Sequence, residues 1–119
     1  MSSLTRIGVG PRLSEAAVFG DTVYLAGQVA EQTVDLDIVA QTTEVLALID
    51  SLLAQTGSNK SRILMCQIFI ADLKDFDRMN QVWDEWVVSG HTPPRATVEA
   101  KLANPKHRIE IVVTAARGS

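Results

Sequence analysis

The sequence predicts an α+β fold with one sheet and two helices packed on one of its faces, in the order β-β-α-β-α-β-β. Three observations carry this. Two amphipathic segments of helical period alternate with short runs of branched and aromatic residues. The longest of those runs, residues 62–71 (RILMCQIFIA), is apolar on both of its faces. A chain of 119 residues, 46% hydrophobic and 21% charged, suits one domain spanning 1–119, with a core that needs no disulfide or metal staple.

Residues 16–20 and 22–26 are β-favouring runs split by the turn-prone Gly20-Asp21 step, which predicts a hairpin. From 35 to 55, apolar residues at 38, 45, 49, 52 and 53 recur with helical period. Asp35 or Thr33 can cap that helix, and Gly57 suits the left-handed closing position. Residues 62–71 are read as a buried central strand, with Ile63, Met65 and Phe69 on one face and Leu64, Cys66, Ile68 and Ile70 on the other. Asp72 is placed as the N-cap of a second helix whose apolar face holds Phe76, Met79, Trp83, Trp86 and Val87 and which runs to Gly90. Pro93-Pro94 forbids helix and makes 91–94 a connecting loop. Two strands follow, near 95–100 and 108–115. Two helices cover only one face of a sheet whose central strand is apolar on both, so the other face is expected to meet a second copy of the chain.

Eleven Lys and Arg against fourteen Asp and Glu give a net charge of -3, with no basic run, and aromatic content is 5%. The electrostatic term that dominates nucleic-acid binding is therefore weak, and base-stacking surfaces are not indicated. No segment approaches the ~18 continuous apolar residues of a membrane span, and the N-terminal stretch lacks a signal-type apolar run. A lone cysteine, Cys66, excludes an internal disulfide and fits a reducing compartment. The expectation is a cytoplasmic protein without nucleic-acid or membrane partners.

His91 and His107 lie far apart, and no Cys or carboxylate spacing matches a metal site, so no metal is expected. GVGPRL lacks the glycine spacing of a phosphate loop. Cys66 sits inside the most apolar run, where a thiol is inert core rather than nucleophile. Trp83 and Trp86 read as helix-to-sheet packing. Arg95 is more informative: it opens a strand after a rigid Pro-Pro segment, and its planar fork suits bidentate grip of a carboxylate. Alternation puts Arg95, Thr97 and Glu99 on one face of that strand. Glu110 lies between Ile109 and Ile111, and a carboxylate in an apolar strand needs a partner, for which an arginine on the adjacent strand is the natural candidate. A salt bridge at a subunit seam and a catalytic pair explain that pattern equally well.

Four segments in order, DTVYLAGQVA at 21–30, IFIADLKDFDRMNQVWDEW at 68–86, PPRATVEA at 93–100 and HRIEIVVTAA at 107–116, with Arg95 and Glu110 fifteen residues apart, resemble the RidA (YjgF) family of enamine and imine deaminases. The resemblance covers nearly the whole chain. It implies a chorismate-mutase-like α+β fold with one mixed sheet, assembled as a homotrimer with sites in the clefts between subunits. It also implies cofactor-free hydrolysis of 2-aminoacrylate-type enamine or imine acids to 2-keto acids and ammonia, a form of metabolite damage control. By the same resemblance Arg95 clamps the substrate carboxylate and Glu110 orients the attacking water and moves protons, while Thr97, Asn80, Gly27, Ala26 and Leu13 fall at substrate-binding positions. Three of these depart from the best-studied branch: Thr97 stands for a cysteine, Leu13 for a tyrosine, and Ala26 for a small hydroxyl residue. That places the sequence in a divergent subgroup. The alternatives weighed are a non-catalytic trimeric binding module for small 2-keto or carboxylic acids, a pericyclic mutase and an RNA-cleaving activity; the last two lack the cationic contacts they need.

Overall fold

The computed structural model describes residues 3–118; residues 1, 2 and 119 of the expected 1–119 domain lie outside the described residues. Its strands are β1 (Leu4–Val9), β2 (Ser14–Phe19), β3 (Thr22–Leu25), the short β4 (Gln28–Val29), β5 (Ile63–Ile70), β6 (Arg95–Glu99) and β7 (Ile109–Ala116). The helices are α1 (Ile38–Gln55) and α2 (Phe76–Trp86). One sheet runs β1-β2-β3-β7-β5-β6, with β4 pairing to β7 beyond the end of β3. All pairings are antiparallel except β5 with β6, so the sheet is mixed, and the α+β class is as expected.

Both helices pack on one face. Val23, Cys66, Ile68, Ile111 and Val113 of the sheet meet Ile38, Val45, Ile49 and Leu53 of α1 and Met79 and Trp83 of α2 in one buried cluster. By length and mean hydropathy, 1.2 over 18 residues, α1 could cross a membrane. Here its apolar stripe closes the core, and Thr43, Ala47 and Ser51 face outward on the opposite side. The other face of the sheet is uncovered: Phe19, Tyr24, Met65 and Val98 on it are each 42–54% exposed.

Several sequence expectations need correction. An additional strand, β1, precedes the hairpin, and the hairpin's first strand begins at Ser14 rather than Ala16. Helix α1 starts at Ile38 and is capped by Asp37, whose side chain accepts from the Ala40 N–H at 3.0 Å. Neither earlier candidate serves: Thr33 is held by Glu44, and Asp35 pairs with Lys106 at 3.0 Å. Asp72 caps a short 3-10 turn (Leu73–Asp75), and α2 begins after it. That helix stops at Trp86 rather than at Gly90, because Val87 is already extended (φ -67, ψ 156). In β5 a bulge between Ile63 and Met65 breaks the alternation. Ile63 is therefore buried at 7% while Leu64 and Met65 are 51% and 42% exposed. Gly57 takes the closing position with φ 80, as expected.

Candidate active site

Arg95 opens β6, an edge strand, directly opposite Cys66 of β5. Cys66 belongs to the buried helix-side face, so the Arg95 side chain also turns toward α2. There its Nη1 donates to Asn80 Oδ1 at 2.8 Å. Its guanidinium lies over the rings of Trp83, at 5.0 Å, and Phe76, at 5.8 Å. Thr97 shares this face two residues further on, and its hydroxyl is buried without a hydrogen-bond partner among the described residues. The Cys66 thiol beneath is pushed by burial up to about 12, against the opposing pull of the Arg95 charge. At neutral pH it is a packed, protonated group and not a nucleophile.

Glu110 stands elsewhere. In β7 it pairs with Phe69 of β5 and with Val29 of β4. Phe69 is three residues from Cys66, an odd step along a strand, so Glu110 points to the uncovered face while Arg95 points to the helix face. The expectation that Glu110 meets an arginine on the adjacent strand is therefore overturned, because β5 separates β6 from β7 and the two side chains emerge on opposite sides.

What does meet Glu110 is Gly27, at the kink between β3 and β4. A Cβ built on Gly27 would collide with Glu110 Oε2 and stand 2.9 Å from its Cδ, closer than real Cβ contacts come. Ala26, beside it, donates its N–H to Glu15 O at 2.9 Å, and its carbonyl accepts from Gln28 Nε2 at 3.0 Å. Gly27 also borders an open groove of about 760 Å³, which the β1–β2 turn lines with Arg12 and Leu13. Leu13 is 59% exposed there. The sequence-predicted residues thus fall into two groups. Arg95, Asn80 and Thr97 stand at the β6 edge against α2; Glu110, Gly27, Ala26 and Leu13 gather at the β3–β4 kink and its groove.

Sequence reasoning treated Trp83 as packing and did not single out the ring of Phe76. Both border the arginine, and the readable signal was their spacing with Asn80 at 76, 80 and 83, one stripe of a helix. Glu44 was also missed. Its carboxylate accepts the N–H groups of Glu31 (2.9 Å), Gln32 (3.1 Å) and Thr33 (2.8 Å) and the Thr33 hydroxyl (2.6 Å). Desolvation alone would raise its pKa, but the Thr33 hydroxyl and the three N–H donors outweigh it and hold the group at about 2. Among the described residues, no three His, Cys, Asp or Glu side chains converge in a metal-holding group.

The arrangement is that of a known class of proteins. A solved structure of an uncharacterised Pseudomonas aeruginosa protein has a TM-score of 0.94 at 40% identity, over 98% of this chain and all of that one. NMB1025 from Neisseria meningitidis, described as a member of the YjgF protein family, has a TM-score of 0.89 at 41% identity, over 98% and 97%. The family profile described as Endoribonuclease L-PSP matches residues 5–117. A RutC family protein of Haemophilus influenzae is 53% identical over 95% of this chain and 97% of its own. The Escherichia coli RutC family protein YoaB is 45% identical over 96% and 98%. The chain belongs to the YjgF/RidA family, as its four segments indicated.

Proposed function

We propose that this protein is a cofactor-free deaminase of small enamine or imine acids, acting as a homotrimer in the cytoplasm. The observation that carries the reading is the division of the site. Arg95 and Glu110 lie on opposite faces of one sheet, and a cleft between two copies is where an arginine from one and a glutamate from the other can face a single small molecule. The uncovered sheet face, with Tyr24, Met65 and Val98 exposed, supplies apolar surface for such an assembly.

In this reading Arg95 grips the substrate carboxylate. Nη1 is committed to Asn80, which leaves Nη2 and Nε as the edge for a bidentate pair of hydrogen bonds. Glu110, brought by the neighbouring copy, accepts a proton from water as the water oxygen bonds to the imine carbon. That proton passes to the imine nitrogen, which gives the neutral carbinolamine. Glu110 then takes the carbinolamine hydroxyl proton and delivers it to the amine nitrogen: the C–N bond breaks with its electrons leaving on ammonia, the C=O of the 2-keto acid forms, and Glu110 returns to the carboxylate. An enamine substrate first moves a proton from nitrogen to carbon to become the imine. Thr97, with a hydroxyl that has no hydrogen-bond partner among the described residues, has donor capacity to spare for the substrate. An RNA-cleaving activity, which the profile's description carries, has less support from a chain of net charge -3 without a basic run.

The test follows imine acids generated in situ by an amino-acid oxidase and trapped by semicarbazide. Wild type is expected to hasten imine decay, and Arg95→Ala to abolish the effect without unfolding. No acceleration by an intact wild-type oligomer that still binds pyruvate would refute deaminase chemistry in favour of the binding module.

A further inference from the structure

Helix α2 presents Phe76, Asn80 and Trp83 at steps of four and three residues, one stripe along its surface. All three touch the same side chain. Asn80 accepts from Arg95 Nη1 at 2.8 Å, and the guanidinium carbon stands 5.0 Å from the Trp83 ring centre and 5.8 Å from that of Phe76. The stripe is itself braced. Trp83 is 6% exposed and meets Trp86 with ring centres 5.4 Å apart. Trp86 in turn donates its Nε1–H to Asp50 Oδ2 of α1 at 2.9 Å.

An arginine at the start of an edge strand has several free torsions, and its fork grips a carboxylate only when the plane is fixed. Trp83 belongs to the buried core and Phe76 packs at its edge, and both rings also lie under one cation, a contact that core filling alone does not require. We propose that Phe76 and Trp83, with Asn80, are positioning residues that hold the Arg95 guanidinium in the orientation that receives a substrate carboxylate. The proposal rests on the reading of Arg95 as the carboxylate clamp. Its consequence is specific: the stripe sets how tightly the acid is held and leaves the hydration step, carried by Glu110, untouched.

The experiment compares wild type with Trp83→Leu, Trp83→Phe, Phe76→Leu and Asn80→Ala in two measurements on the intact oligomer. One is KM and kcat in the imine assay; the other is the NMR resonance of the Arg95 Nε–H during titration with pyruvate. Trp83→Leu is expected to raise KM and weaken pyruvate binding about tenfold with kcat within about twofold, while Trp83→Phe, which keeps a ring, recovers most of the loss. The Arg95 resonance, shifted by the indole ring current in wild type, moves toward the ordinary arginine position in Trp83→Leu. Should Trp83→Leu fail to fold, the half-buried Phe76→Leu and Asn80→Ala carry the same test, with expected losses of about threefold each. Unchanged KM, pyruvate affinity and resonance in folded variants would overturn the proposal and reduce the stripe to helix packing. A wild-type resonance that ignores pyruvate would instead overturn the clamp reading of Arg95, and the proposal with it.

Discussion

Replacing Glu44 by glutamine tests how the segment after β4 is tied to α1. Oε2 accepts from the N–H groups of Glu31 and Gln32, and Oε1 from the N–H and hydroxyl of Thr33. Glutamine has one acceptor oxygen, so whichever way its amide turns, two donors face a third. The native carboxyl is held at about 2 against an ordinary 4.5. Taken at face value that depression is worth about 3 kcal/mol. Solvent screening of a partly exposed group reduces it to roughly 1–2 kcal/mol. A depressed acid stabilises the fold at pH above its unfolded value, and the contribution is lost as pH falls from about 4.5 through about 2. Urea unfolding at one fixed protein concentration should therefore find Glu44→Gln less stable by roughly 1–2 kcal/mol at pH 7, with the gap to wild type closing near pH 2. A gap that is the same at both pH values would refute the reasoning, since it would show that the loss came from packing and not from the charge.

Gly27→Ala is expected to fold with a stability cost of about 1 kcal/mol or less, because only the end of the Glu110 side chain has to give way. Its imine turnover should fall on the order of a hundredfold, since a carboxylate displaced by roughly 1 Å no longer meets the reacting atoms; thermal melting and the trapping assay read the two effects separately. Thr42→Val should stabilise the fold by about 1 kcal/mol in the same urea assay, because the Thr42 hydroxyl is fully buried with no partner among the described residues and valine keeps its shape.

The two helices and the strands at 63–70, 95–99 and 109–116 were legible from their apolar runs and from two chemical stops, Gly57 and the Pro93-Pro94 pair, whereas the capping aspartates were not, since Asp37 and not Asp35 caps α1 and Asp72 caps the 3-10 turn before α2. Strand β1 was not, because Arg6 and Gly8 break its pattern, Gly10 and Pro11 follow directly after it, and most of its residues are exposed, so no buried face wrote itself into the sequence. The bulge in β5 was equally hidden. Ile63, Leu64 and Met65 are all apolar, and a one-residue slip among them leaves no mark in hydropathy. Helix α2 was overrun at its end because Val87 and Val88 continue an apolar run without continuing a helix.

For the site, residue types were legible and their arrangement was not. Arg95 and Glu110 each stand out as a charge in a strand, but whether two strands are neighbours depends on sheet order, which spacing does not encode. Inserting β5 between β6 and β7 turned an expected pair into two groups on opposite faces. The contact of Gly27 with Glu110 spans 83 residues of chain and likewise required the fold.

The central claim, that one site takes Arg95 from one copy and Glu110 from its neighbour, is tested most directly by mixing. Arg95→Ala and Glu110→Gln subunits, each inactive alone, are unfolded together, refolded at equal amounts and assayed for imine hydrolysis, with mixed trimers verified by native mass spectrometry. Random assembly around a cyclic trimer gives each cleft an intact arginine and an intact glutamate in about one case in four, so activity should return to about a quarter of wild type. No recovery in verified mixed trimers would contradict the account.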